Sequence, residues 1–123
     1  MSQLYKAIII DDEPAARRLM MSLLNDYQDL IEIIGEATNG REAVQQIKSL
    51  QPDIIFLDIQ MPDMTGFEVI EKLDKKPNII FTTAYEQYAI KAFETFSIDY
   101  LLKPIREERL AISIEKLRQF GKL

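Results

Sequence analysis

Short apolar runs alternate with amphipathic segments along the whole chain, and no other feature of the sequence limits the fold as strongly. The runs are rich in isoleucine, as strands covered on both faces of a sheet must be. We predict five strands, at residues 5–10, 31–37, 54–57, 79–82 and 98–102. Neither an internal repeat nor a linker rich in proline, glycine or serine interrupts them, so we expect residues 1–123 to form one domain.

Each segment after a predicted strand carries apolar residues at helical spacing. Pro14 stands where a first helical turn tolerates proline, and Asn39 with Gly40 and then Gly66 mark turns before the second and third helices. Strict alternation of strand and helix predicts an α/β fold, a doubly wound parallel sheet with five helices on its two faces. The predicted buried stripes are Leu19, Leu23, Leu24 and Tyr27; Ala43, Val44 and Ile47; Phe67, Ile70 and Leu73; Ala89, Ala92, Phe93 and Phe96; and Leu110, Ile114 and Leu117.

The composition excludes several kinds of chemistry. With neither cysteine nor histidine, the chain has no thiolate nucleophile, no disulfide, no imidazole metal site and no histidine-dependent triad. The formal net charge of -5 argues against direct binding to a nucleic acid backbone. The amino terminus lacks the pattern of a secretory signal, and no apolar run approaches the about 20 residues that a bilayer requires. We therefore expect a cytoplasmic chain without membrane contact.

Polar residues follow four of the five predicted strands. Parallel strands end at one edge of the sheet, and the chemistry of doubly wound folds gathers at that edge. Clustered carboxylates repel one another unless a cation joins them, and oxygen ligands of this kind suit Mg²⁺ or Mn²⁺. The residues at the strand ends are Asp11, Asp12 and Glu13, then Asp58, then Thr82 and Thr83, and finally Lys103.

Phosphoryl transfer requires an in-line nucleophile, a metal ion and donors for the phosphoryl oxygens. At this edge Asp58 could attack phosphorus, Thr83 could donate a hydroxyl, and Lys103 could supply a positive charge. Singly, each residue has an ordinary explanation: an acidic residue ahead of Pro14 can cap the first helix, Thr83 can be a plain strand end, and Lys103 a solvated charge. The combination favours an open metal site that meets a phosphate.

Four segments carry a family resemblance that covers essentially the whole chain: IIIDDEP, DIIFLDIQMPDMTG, IIFTTAYEQYAIKAF and DYLLKP. In their order and spacing they resemble the receiver domain of bacterial two-component response regulators. The resemblance implies a flavodoxin-like receiver fold with strand order 2-1-3-4-5 and a phosphoryl group accepted on Asp58 from a sensor histidine kinase. It also implies that Mg²⁺ is bound by Asp11, Asp12, Asp58 and the backbone carbonyl of Gln60.

Further roles follow from the same resemblance. Thr83 and Lys103 are expected to contact the phosphoryl group, and the peptide bond before Pro104 is expected to be cis. Tyr100, three positions before the lysine, matches the aromatic switch residue, which turns when Thr83 moves toward the phosphoryl oxygens. The domain is expected to promote only its own phosphorylation and dephosphorylation, and so to act as a signalling domain and not as an enzyme.

Two more residues flank the expected phosphorylation site. Gln60 and Tyr85 follow Asp58 and Thr83 at a distance of two residues each. Both are expected to influence hydrolysis of the aspartyl-phosphate.

A finer resemblance concerns the segment TTAYEQYAIKAFETFSIDYLLKPI. It is similar to receivers of the LytTR class, in which a second, LytTR domain binds DNA. This similarity implies either the amino-terminal half of a transcriptional regulator or a single-domain protein. We favour the first, in which DNA is contacted only through an output domain absent from this chain.

Phosphorylation is expected to promote a homodimer through the face made by the fourth helix, the fifth strand and the fifth helix. The family resemblance suggests this surface, and helical spacing adds an independent indication. Ile90 falls at the edge of the predicted buried stripe of the fourth helix, and Ile112 points away from that of the fifth.

Other functions remain open at this point. A degenerate receiver could act as an unphosphorylated protein-interaction scaffold. A flavodoxin-like cofactor carrier would need a phosphate-binding loop after the first strand, where DDEP instead presents negative charge. A phosphatase of the haloacid dehalogenase type would need a second acid two residues after Asp58, where the chain has Gln60.

Overall fold

The computed structural model describes residues 3–123 and contains a five-stranded parallel sheet with the order β2-β1-β3-β4-β5. The predicted fold class and strand order are confirmed. Two single 3-10 turns, Asn25–Tyr27 and Glu86–Tyr88, accompany the helices of this part of the chain. The strands are β1 (Tyr5–Ile10), β2 (Ile31–Ala37), β3 (Ile54–Asp58), β4 (Asn78–Thr83) and β5 (Asp99–Leu102), and the helices are α1 (Pro14–Leu24), α2 (Gly40–Leu50), α3 (Gly66–Glu71), α4 (Ala89–Glu94) and α5 (Glu107–Phe120).

Two apolar layers cover the sheet, one on each face. In β1, Ile8 and Ile10 pack with α2, α3 and α4, whereas Ala7 and Ile9 pack with α1 and α5. Because successive side chains of a strand point to opposite faces, a strand covered on both sides must be apolar throughout. The isoleucine runs of the sequence follow from this arrangement. Among residues 3–123, no helix is both long and apolar enough to span a lipid bilayer.

Side-chain caps fix the starts of two helices, α2 and α3, near the carboxyl edge of the sheet. Asn39 caps α2 by accepting a hydrogen bond from the backbone N–H of Glu42 at 2.8 Å. Thr65 and Glu68 form a reciprocal capping box at the start of α3. Gly66 is required there, because a Cβ atom would lie 2.8 Å from the carbonyl oxygen of Asp58. The start of α3 therefore lies directly against the end of β3.

The loop between β3 and α3 is held from a second side. The carboxylate of Asp63 accepts hydrogen bonds from the backbone N–H groups of Gly40 and Arg41 at 2.8 and 2.9 Å. Free N–H groups at a helix start favour such an acidic partner. The loop that follows Asp58 is consequently tied to the start of α2 as well as to α3.

The predicted buried stripe of the fourth helix is wrong in three of its four positions. Ala92 is buried, but Ala89 is exposed, Phe93 is 83% exposed and Phe96 is 94% exposed. The helix has only six residues, the segment before it is a 3-10 turn, and Phe96 lies beyond its end with φ of 59°. The predicted stripe therefore runs past the end of the helix at Glu94, and within the helix only Ala92 is buried.

In the other four helices, the residues predicted to be buried are buried or partly buried, with one exception. Leu19, expected on the buried face of the first helix, is largely exposed, because α1 turns its Met20 and Leu24 toward the sheet. In α5, Leu110, Ile114 and Leu117 are buried and Ile112 is exposed, as the sequence predicted; Ile90 is also exposed.

A buried carboxylate joins β5 to α5. Arg109 donates to both oxygens of Asp99, at 2.7 and 3.0 Å, and Lys116 and the hydroxyl of Ser113 donate to the same group. Burial alone would raise the pKa of Asp99, but the bonds from Arg109, Ser113, the backbone N–H of Tyr100 and Lys116 hold this pKa well below its ordinary value. The charged form of Asp99 therefore stabilises the fold.

Replacing Asp99 with Asn should lower the free energy of unfolding by about 2 kcal/mol at neutral pH, because the cations would lose their buried partner. Folding lowers the pKa of Asp99, so its charged carboxylate stabilises the fold at pH values above the pKa that Asp99 has in the unfolded chain. This stabilisation is lost as the pH falls below about 4. Urea unfolding of both proteins at neutral and at acid pH measures the difference.

A matched control is Glu115→Gln, because Glu115 makes only an exposed ion pair with Arg118 at 3.9 Å. That substitution should change stability by less than about 0.5 kcal/mol. If Asp99→Asn were as stable as Glu115→Gln at neutral pH, the Asp99 network would not hold β5 to α5.

Candidate functional site

Four parallel strands deliver the predicted site residues to one edge of the sheet. Asp11 directly follows β1, Asp58 ends β3, Thr83 ends β4 and Lys103 directly follows β5. Because β1, β3, β4 and β5 are adjacent in the sheet, their carboxyl ends form a continuous edge. The structure thus brings these four residues together, as expected from the sequence.

Three aspartates form a compact carboxylate cluster. One oxygen each from Asp11, Asp12 and Asp58 lie within 4.8 Å of one another. Asp11 and Asp58 are buried, while Asp12 is partly exposed. Three hard oxygen donors with an open side fit Mg²⁺ or Mn²⁺, which keep several waters and use few protein carboxylates.

Lys103 is the cation that faces this cluster. Its ammonium nitrogen lies 2.8 Å from Asp11 and 3.7 Å from Asp58. The peptide bond from Lys103 to Pro104 is cis, as expected. Burial would lower the pKa of Lys103, but the surrounding carboxylates raise it above its ordinary value, so the ammonium stays charged.

Glu13, which the sequence grouped with the other acids, lies outside the carboxylate cluster. Its oxygen is 3.3 Å from the Lys103 ammonium, and its side chain is mostly exposed. Glu13 therefore belongs to the outer surroundings of Lys103.

The electrostatics of Asp58 are unfavourable to its charged form. Burial and the negative charge of Asp11 raise its pKa, Lys103 partly opposes them, and the resulting pKa is about 7. Additional positive charge at this site would therefore favour the ionised form of Asp58.

Thr83 and Tyr100 are connected through the segment that follows β4. The Thr83 hydroxyl accepts a hydrogen bond from the backbone N–H of Tyr85 at 3.2 Å. The Tyr100 hydroxyl donates to the backbone carbonyl of Tyr85. Tyr85 thus donates a hydrogen bond from its N–H to the end of β4 and accepts one at its carbonyl from β5.

Thr82 has a different environment from Thr83. Its side chain lines a cavity of about 220 Å³ between α1 and the segment after β5, which is bounded mostly by apolar residues and by Asp11 and Lys103. Leu19, more exposed than expected, also lines this cavity. An apolar surface therefore adjoins the carboxylate cluster.

Sequence reasoning missed one residue of this region, Tyr88. Its hydroxyl accepts a hydrogen bond from the side-chain amide of Gln60 at 2.6 Å. Gln60 was expected to contribute its backbone carbonyl to metal binding, and the structure adds this side-chain contact. The two residues are 28 positions apart, so no periodicity in the sequence could have indicated the pair.

The raised pKa of Asp58 should make the stability of the metal-free protein depend on pH. The folded state binds a proton that the unfolded state releases between about pH 4 and pH 7, so stability falls as the pH rises through this range. Asp58→Asn should therefore stabilise the metal-free protein by about 2 kcal/mol or more near pH 8, and by much less near pH 5.

Thermal or urea unfolding in a chelator, at both pH values, measures this difference. Asp74→Asn is the control, since Asp74 is exposed and distant in sequence from the carboxylate cluster. An equal effect of Asp58→Asn at the two pH values would contradict a raised pKa.

Comparison with known proteins agrees with this site. The family model described as "Response regulator receiver domain" matches residues 7–115. The transcriptional regulatory protein BtsR of Salmonella typhi is 51% identical over 116 residues, which are 93% of this chain and 48% of the relative. An uncharacterized response regulatory protein of Vibrio cholerae is 48% identical over 122 residues, 97% of this chain and 47% of the relative. The chain spans about half the length of these relatives.

Solved structures give the same result. The response regulatory domain of mrkE from Klebsiella pneumoniae matches with a TM-score of 0.83 and 34% identity, covering 93% of this chain and 95% of that one. The REC domain of AraT, a response regulator from Geobacillus stearothermophilus, matches with a TM-score of 0.81 and 32% identity, covering 95% and 98%. The family model, the relatives and the structures agree, and the chain belongs to the response regulator receiver domain family.

Proposed function

We propose that this chain accepts a phosphoryl group on Asp58 from a phosphohistidine of a sensor histidine kinase and signals through the resulting change of its surface. The observation that carries the proposal is the meeting of three aspartates and Lys103 at one sheet edge. A cytoplasmic location is part of the proposal, because such kinases draw the phosphoryl group from ATP.

In the proposed transfer, an oxygen of Asp58 forms a bond to phosphorus while the bond from phosphorus to the donor nitrogen breaks. The departing imidazole keeps the electron pair of that bond. Lys103 and the hydroxyl of Thr83 would then face the phosphoryl oxygens. Mg²⁺ held by Asp11, Asp12, Asp58 and the carbonyl of Gln60 would neutralise part of the charge on these oxygens.

The donor is proposed to approach over the apolar surface between α1 and the segment after β5. Leu19 and Ile105 line the cavity there, beside Lys103 and Asp11. A partner that covers this surface would bury apolar area next to the carboxylates and exclude water from the transfer. This is the support for a kinase helix as the partner at this place.

The signal is proposed to leave the site through Tyr85. A rotation of the Thr83 hydroxyl toward a phosphoryl oxygen would carry it away from the Tyr85 N–H, and Tyr100 holds the carbonyl of the same residue. A rearrangement at Thr83 would therefore move the segment to which Tyr100 is bonded. Phosphorylation adds roughly -1.5 to -2 charge at Asp58, which is enough to bias such an equilibrium.

The output is proposed to be a homodimer through the α4-β5-α5 face, defined here by the exposed residues at its surface. Phe93 and Phe96 add two aromatic rings to the surface predicted from Ile90 and Ile112. Phe96 also has positive φ, a conformation that costs a residue other than glycine about 1 kcal/mol. The exposed apolar residues are Ile90, Phe93, Phe96, Leu102 and Ile112.

We further propose that the chain is the receiver half of a LytTR-type transcriptional regulator. Its similarity to a relative named a transcriptional regulatory protein, about twice as long, supports this proposal. In that arrangement DNA is bound by the second domain, in agreement with the net charge of -5 on this one.

Asp58→Asn should abolish phosphorylation. After incubation with acetyl phosphate and Mg²⁺, the intact mass of the parent should rise by one phosphoryl group and that of the variant should not, because the nucleophile is gone. Asp74→Asn should gain the group as the parent does. A stable gain in Asp58→Asn would refute the assignment, and no gain in the parent would favour an unphosphorylated scaffold.

Phosphorylation should also shift the chain from monomer to dimer. Light scattering with beryllofluoride, a mimic of the phosphoryl group, should show this shift. Phe93→Glu or Ile112→Glu should raise the dissociation constant of the dimer at least ten-fold, since a charge would be buried in the interface. Leu50→Glu, on α2, is the control and should dimerise normally. Dimerisation of Phe93→Glu at parental strength would exclude this face.

A further inference from the structure

A side-chain hydrogen bond joins the two loops that follow Asp58 and Thr83. The amide nitrogen of Gln60 donates to the hydroxyl of Tyr88 over 2.6 Å. Gln60 is in the loop between β3 and α3, and Tyr88 ends the 3-10 turn before α4. The bond therefore links the loops that follow two adjacent strands, β3 and β4, and in the first of these loops Gln60 is two residues after Asp58.

Tyr88 is the fixed partner of this bond. Its ring packs against Phe67 with a centroid distance of 6.1 Å, and Phe67 in turn packs against Phe81 of β4 at 5.0 Å. Tyr85 contacts the Tyr88 ring edge-on at 6.3 Å. These two contacts restrict the Tyr88 ring and keep it beside Phe67 of α3.

The Gln60 carboxamide is held in place by the Tyr88 hydroxyl. The Gln60 side chain is exposed, and the hydrogen bond to Tyr88 restrains it. The backbone around it is already fixed, because Gln60 bridges to Thr65 and Asp63 is bound by the start of α2. Losing the Tyr88 hydroxyl would thus release the carboxamide and leave the loop in place.

We propose that Tyr88 is a positioning residue for the acceptor site, which holds the Gln60 carboxamide across the approach to Asp58 and limits the access of water to the aspartyl-phosphate. The inference rests on the proposed function. In the hydrolysis that it restrains, the oxygen of water forms a bond to phosphorus and the bond from phosphorus to Asp58 breaks. The electron pair stays on the Asp58 carboxylate, and a proton of the water leaves to solvent.

The test is the rate at which the phosphorylated chain loses its phosphoryl group. The parent and its variants are loaded with acetyl phosphate and Mg²⁺, the donor is removed, and intact mass is followed with time. Tyr88→Phe keeps the ring packing and removes only the hydrogen bond, whereas Gln60→Met keeps the backbone carbonyl and removes the carboxamide together with the bond. Each should lose the group about five-fold faster, the factor that one hydrogen bond of ordinary strength represents.

Non-additivity separates a positioning role from a general structural one. If Tyr88 acts through Gln60, the double variant should lose the phosphoryl group at the rate of Gln60→Met alone. Tyr27→Phe removes a hydroxyl from the opposite layer, which contains α1 and α5, and should behave as the parent.

Two results would overturn the inference while leaving the proposed function intact. One is normal loading of Tyr88→Phe followed by loss at the parental rate. The other is a double variant in which the two effects multiply, since independent effects would mean that Tyr88 does not act through Gln60. No phosphoryl gain in the parent would instead overturn the proposed function, and this inference with it.

Discussion

The ammonium group of Lys103 lies between two buried carboxylates, and the properties of the carboxyl edge depend on this one cation. It is 2.8 Å from Asp11 and 3.7 Å from Asp58, yet the pKa of Asp58 still rises to about 7. One positive charge is therefore too little for the carboxylates gathered there. Because positive charge is lacking at this edge, the ionised Asp58 carboxylate is unfavourable without a further cation, and binding of a cation is favoured. A metal-dependent phosphate acceptor requires this condition.

Few hydrogen bonds separate the carboxyl edge from β5, because β4 and β5 are adjacent parallel strands that end together. Thr83 ends β4, Tyr100 lies in β5, and both bond to Tyr85. Asp99, the neighbour of Tyr100, is bonded to α5 through Arg109. Two adjacent residues of β5 are thus bonded to different elements, Tyr100 to the backbone of Tyr85 and Asp99 to α5. In the proposed signal, a rearrangement at Thr83 would reach β5 through Tyr85.

The sequence predicted the sheet well because each strand is covered on both faces. Isoleucine runs marked β1 and β2 to the residue, and the strand ends then identified Asp58 and Lys103 as neighbours, since parallel strands end together. The fourth helix was predicted, but Ala89, Phe93 and Phe96 were wrongly expected to be buried, because an apolar residue in a short helix can face either the core or solvent. The contact between Gln60 and Tyr88 depends on the packing of Tyr88 against Phe67, which only tertiary structure provides.

The two helices of the proposed output face are held very differently. α5 has four buried residues and the Asp99 network, whereas α4 has six residues, of which only Ala92 is buried. Segments with few buried contacts open at low free-energy cost, and elements that move in switching are drawn from them. α4 also follows directly after the 3-10 turn that ends in Tyr88, so the proposed motion of Tyr85 would reach α4 through the chain itself. Because α4 has few buried contacts and α5 has many, the α4 half of the proposed α4-β5-α5 face could rearrange while the α5 half keeps its position.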